Sequence, residues 1–153
     1  MRHHCRSVRR ALLAAGLLGA LAAHAAPRAQ PRYGVFVYSN LCVQADSGDL
    51  GGERISLHRF AEGDALVYES TAGALGWPVV ASEVNIDPGM RALYFTLQAP
   101  EEAPRTVSGK FSRDGQSLTL DGGYCSDASI PRLLPKVTDF GRPLKTCAPC
   151  PPA

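Results

Sequence analysis

Histidine and long apolar runs are scarce in this chain, and each shortage removes a class of function. Four histidines occur in 153 residues, and His3, His4 and His24 fall within the first 25. A Ser–His–Asp hydrolase would therefore have to use His58, which sits mid-strand on an outward position with no Gly-x-Ser-x-Gly elbow in the chain. No His follows Cys150, which excludes c-type haem attachment. Beyond residue 23 no apolar stretch approaches the roughly 20 residues that span a bilayer. Residues 26–153 also lack an amphipathic helical period of useful length, an internal repeat and a basic stripe for phosphate contacts, which argues against nucleic acid as a partner.

The first residues have the layout of an export signal. Arg2, Arg6, Arg9 and Arg10 precede an uninterrupted apolar run over 11–23, and Ala23-His24-Ala25 is a small-x-small site, placing cleavage after Ala25. Arg9-Arg10-Ala11-Leu12-Leu13 also matches the core of a twin-arginine signal, although arginines of this kind are common in ordinary signals. Removal of residues 1–25 changes the electrostatics: 16 Lys+Arg and 14 Asp+Glu become 12 and 14, a net charge of −2 with His neutral. About 128 residues remain, enough for one domain with one core. The expected location is periplasmic or secreted.

What is present is β pattern. Residues 105–125 read as a complete hairpin about Asp114-Gly115, with Val107, Phe111, Leu118 and Leu120 on one face and Ser108, Lys110, Ser112, Ser117 and Thr119 on the other. That register sets Phe111 opposite Leu118 and Gly109 opposite Leu120, where Gly109 reads as a bend. Residues 33–44 alternate as a long strand, bent at Ser39-Asn40, whose odd positions (Val35, Val37, Leu41) are expected inward. Glu53 to Phe60 and Ala65 to Ser70 form a hairpin with Leu57 opposite Tyr68. Val79 to Ile86 and Arg91 to Gln98 form another, with Val80 and Val84 inward opposite Leu97 and Leu93. A loose arm is expected over 26–32. After Cys125 the prolines Pro131, Pro135 and Pro143 suggest an irregular tail over 126–153 with at most one short strand near residues 136–140.

Short connections between alternating strands imply an all-β fold, an antiparallel meander of seven to eight strands over 33–125. Closure into a small barrel removes the open edges; a sandwich is the alternative. The architecture is similar to that of lipocalin-like barrels, although their Gly-x-Trp is absent, Gly34 being followed by Val35 and Phe36.

Once Cys5 leaves with the signal, Cys42, Cys125, Cys147 and Cys150 remain, an even number in an exported chain and hence a disulfide framework. Cys147-Ala148-Pro149-Cys150 has redox-motif spacing, but Pro151-Pro152 follows it and no βαβ unit surrounds it. Four cysteines allow three pairings. Cys42–Cys125 with Cys147–Cys150 is slightly preferred, whereas either other pairing staples the tail to the sheet. A four-Cys zinc site would need a second close pair, so no metal and no cofactor is expected. Arg59, Tyr68 and Trp77 form the one candidate ligand group: a cation on an inner face near a barrel mouth, an aromatic across the hairpin and the lone tryptophan. The expected partner is a small apolar ligand or another envelope or secreted protein, such as a secreted hydrolase that the domain inhibits. A thiol–disulfide oxidoreductase and a purely structural envelope component are the competing readings.

Overall fold

The computed structural model describes residues 33–71, 73–100, 102–125, 127 and 129–150. The expected export signal over 1–25 and arm over 26–32 lie outside the described residues. The described chain forms β-strands and no helix: β1 (Gly34–Ser39), β2 (Cys42–Val43), β3 (Leu50–Gly51), β4 (Glu53–Arg59), β5 (Asp64–Ser70), β6 (Val79–Val80), β7 (Ser82–Asp87), β8 (Ala92–Leu97), β9 (Arg105–Phe111), β10 (Ser117–Leu120), β11 (Arg132–Pro135) and β12 (Lys145–Thr146). They make three sheets, ordered β1-β4-β5-β6, β11-β10-β9-β8-β7 and β12-β2-β3. Every pairing is antiparallel except the parallel contact of β12 with β2.

The meander folds as a sandwich rather than as the closed barrel expected. Its two large sheets face each other across one core of Phe36, Tyr38, Ile55, Leu57, Leu66, Tyr68, Leu93, Phe95, Leu118, Leu120, Leu134 and their neighbours. Between the sheets the Tyr38 and Phe111 rings stand 5.6 Å apart and those of Tyr68 and Phe95 6.3 Å apart, in tilted contacts that favour aromatic packing. At one edge the chain steps between sheets: β6 pairs with β5, Ala81 donates its N–H to Leu66 O at 2.9 Å, and β7 pairs with β8. At the other edge β1 meets the tail through the Tyr38–Lys136 bridge and the Val137 N–H donated to Val37 O at 2.8 Å, not through a continuous ladder. Side chains fill the space between the sheets, so a continuous ladder is not needed to bury the core.

The hairpin over 105–125 has the expected register, with Phe111 paired to Leu118, Lys110 to Thr119 and Gly109 to Leu120. Its turn differs in one respect. Gly115 alone takes a left-handed φ of 68°, while the Asp114 carboxylate accepts from Ser112 Oγ at 2.7 Å and the Gln116 N–H at 3.1 Å. Side-chain bonds thus stabilise a longer turn than Asp-Gly alone requires.

The other hairpins slide by two residues, which changes the partners of the inward residues. Leu57 pairs with Leu66 rather than Tyr68, because the loop 60–63 is closed by Phe60 N–H to Gly63 O at 3.0 Å and by the Arg59–Asp64 ion pair. Ile86 rather than Val84 pairs with Leu93. There a bulge between Ser82 and Asn85, with Glu83 at φ 51°, shifts the alternation, so Val80 points outward and is 72% exposed while Val84 and Ile86 pack on the core.

β1 reverses the expected face. Phe36 and Tyr38 point inward and Val35 is 59% exposed. Both faces of this strand are apolar, and aromatic side chains bury more surface than valine, so the larger pair occupies the core. The bend at Ser39-Asn40 is present: Asn40 Oδ1 accepts the Glu53 N–H at 2.8 Å, ending β1 and sending Cys42 into the third sheet. The tail is also more regular than expected, since β11 pairs with β10 along its whole length and Leu134 is fully buried.

Gly109 is required by close approach. A Cβ there would lie 2.8 Å from both Leu120 Cδ2 and the backbone oxygen of Thr119. Gly109→Ala is expected to cost about 1–3 kcal/mol by overpacking, read as a lower urea midpoint with an unchanged slope.

Candidate functional site

Arg59, Tyr68 and Trp77 are not brought together. Arg59 bonds Asp64 through Nε at 3.1 Å at the hairpin end. Tyr68 pairs with Ile55, four residues back from Arg59, or roughly 13 Å along the strand. Trp77 lies outside the core on the connection from β5 to β6 and is 92% exposed. The cation beside Tyr68 is instead Arg105, whose Cζ lies 5.8 Å from the ring centroid.

Tyr68 belongs to a different constellation, which the alternation of β4 could have disclosed. Glu53 is in step with the inward Ile55 and Leu57, and a carboxylate on a core face requires partners. It has three bonds: Arg132 Nε donates to Oε1 at 3.0 Å, Arg132 Nη2 to Oε2 at 2.5 Å and Tyr68 Oη to Oε2 at 2.8 Å. Arg132, on β11, also donates through Nη1 to Asp121 O at 2.9 Å. Burial, then the charge and hydrogen bond of Glu53, raise the Tyr68 phenol above the usual range, with Arg105 and Arg132 opposing. Burial lowers the Arg132 guanidinium, and the bond and charge of Glu53 with Tyr68 outweigh that, for a net rise. The cluster forms one wall of a hollow of about 210 Å³ edged by Asn40, Ser70 and Tyr124. Both carboxylate oxygens are occupied by fixed partners, so the arrangement joins the two sheets rather than presenting a free acid or base. Among the described residues no group of three or more His, Cys, Asp or Glu side chains is placed to hold a metal ion.

The cysteines pair as Cys42–Cys147 and Cys125–Cys150, which corrects the preferred pairing and leaves no bond between Cys147 and Cys150. Tertiary placement is the reason. β12 runs parallel to β2 with Lys145 beside Cys42, and the Cys147 N–H donates to Val43 O at 2.9 Å. Tyr124 Oη, next to Cys125, donates to Ala148 O at 2.9 Å. Both bonds tie the end of the tail to the sheets, one closing a loop of 105 residues and the other of 25.

Tied at its ends, the tail arches over the outer face of β1 and encloses a groove of about 570 Å³. Its lining includes Val37, Leu41, Leu133, Val137, Phe140 and Leu144. Phe140 is 79% exposed and Leu133 and Leu144 nearly half, so apolar side chains face water along a concave surface. Sequence reading missed this site because it brings together residues about 100 apart, held by a disulfide of 105-residue separation.

The raised Tyr68 value means that the neutral phenol favours the fold. Its contribution is complete below the ordinary tyrosine value of about 10 and is lost as pH rises through the higher folded value. Urea unfolding from about pH 7 to about pH 11 should therefore show a loss of stability above about pH 10 that Tyr68→Phe lessens. Near neutrality Tyr68→Phe should cost about 1–2 kcal/mol, and Arg132→Ala, which strands a buried carboxylate, about 3–5 kcal/mol.

No protein-family model matches the chain, and neither a characterised protein nor a solved structure gives a significant match.

Proposed function

We propose that this is an exported, non-catalytic binding protein, periplasmic or secreted, that holds a small apolar ligand between its disulfide-tied tail and the outer face of β1. The observation that carries the reading is the groove itself. Its volume of about 570 Å³ is in the range of small-molecule sites, and Leu133, Phe140 and Leu144 offer apolar surface for a ligand to cover. The site lies outside the space between the two sheets, which is filled by the core. Two disulfides and the arginine-flanked apolar run at the start of the chain support export.

A second reading, a protein partner such as a secreted hydrolase, is favoured by Trp77. A tryptophan 92% exposed, three residues before the exposed Val80, has the chemistry of an interface anchor.

The two readings separate by variant. Titration of the mature protein with 1-decanol should give saturable binding that Phe140→Asp/Leu144→Asp abolishes and Trp77→Ala leaves unchanged. Both changes are at exposed positions, so thermal unfolding should be little altered. Absence of saturable decanol binding, with a captured protein lost only in Trp77→Ala, would reverse the order of the readings.

A further inference from the structure

We infer that the ligand of the tail groove carries an anionic head, the fitting class being a long-chain carboxylate; this deepens, and rests on, the groove reading. Five charged side chains line the groove: Arg54, Lys136, Asp139, Arg142 and Lys145. Arg54 is neutralised in place, donating to Glu69 through Nε at 2.6 Å and Nη2 at 2.7 Å. Lys136 holds its Nζ 5.0 Å from the centre of the Phe36 ring. Arg142 and Lys145 are exposed on the arch, and neither enters an ion pair found among the described residues. Asp139 is the one acid of the lining, and its Oδ1 accepts the Gly141 N–H at 3.0 Å.

The groove thus holds an excess of positive charge beside its apolar wall, on a chain whose residues 26–153 carry a net negative charge. Local charge opposite to that of the whole is informative about a ligand, because it draws in an anion against the average field. The apolar and basic parts are adjacent. Phe140 and Leu144 alternate with Arg142 and Lys145 along the same arch, so a chain lying on the apolar wall keeps its head within reach of a cation. A neutral or a cationic head would leave Arg142 and Lys145 unmatched. A single charge contact at the surface is worth roughly fivefold in affinity, so two of them set the scale of the effect at tenfold or more.

Isothermal titration of the mature, disulfide-bonded protein with decanoate, 1-decanol and decyltrimethylammonium tests this, with phosphatidylglycerol vesicles as a fourth arm. The expected result is saturable decanoate binding at least tenfold tighter than that of decanol or the cation. Arg142→Gln/Lys145→Gln should bring decanoate down to the level of decanol while leaving decanol unchanged. Equal affinity for decanoate and decanol, both lost in Phe140→Asp/Leu144→Asp, would overturn the anionic head and leave the groove reading in place. No binding of any of the three monomers would overturn both. Binding to anionic vesicles without binding of monomeric decanoate would also overturn the inference, assigning the cations to a membrane surface.

Discussion

The interaction on which the architecture depends is the buried contact of Glu53 with Arg132 and Tyr68. Glu53 lies on β4 and Tyr68 on β5 of one sheet, Arg132 on β11 at the edge of the other. Removing a carboxylate from water is costly, and only partners on both oxygens make it tolerable. The requirement binds the two sheets near β11, the strand that leads into the tail. Tyr38 makes the second tie between the sheets, its Oη donating to Gly115 O at 3.2 Å at the turn of the β9–β10 hairpin. Neither tie uses hydrogen bonding between strands, which is why a sandwich without a continuous ladder still holds its faces in place.

The tail follows from that anchorage. Arg132 and Leu134 commit one side of β11 to the interior, and Val137 adds a backbone bond to Val37. Beyond this point residues 138–146 are exposed, and their position is set by what holds them at the far end: the Cys42–Cys147 bond, the two-residue β12–β2 pairing and the Cys125–Cys150 bond. A segment so placed need not pack to be ordered, because the crosslinks reduce the freedom that packing would otherwise have to offset. Its apolar residues are therefore left facing a groove rather than a core. Stability and the candidate site are thereby divided between different parts of the molecule, the core supporting the arch and the arch supplying the surface.

The candidate group Arg59, Tyr68 and Trp77 illustrates how alternation can be right about a face and wrong about a neighbour. Arg59 and Tyr68 do belong to inward-facing positions, yet a slide of two residues in the β4–β5 register gives Arg59 to Asp64 and leaves Tyr68 to Glu53. Side-chain period cannot detect such a slide, since it preserves the inward set. Glu53 was legible as a carboxylate in step with Ile55 and Leu57; its partner on β11, 79 residues away, was not.

By itself the sequence determined that residues 33–125 are β in character, where most turns fall, and the full register of the β9–β10 hairpin, because turn chemistry and a two-residue period are local properties. Only tertiary structure decided the inner face of β1, the change of sheet at Ala81, the bulge at Glu83, the pairing of the cysteines and the groove under the tail. Each depends on which of two chemically acceptable surfaces meets a distant part of the chain. For β1 both faces were apolar, and burial of the larger side chains settled it; for the cysteines three pairings were open, and the parallel docking of β12 on β2 settled that.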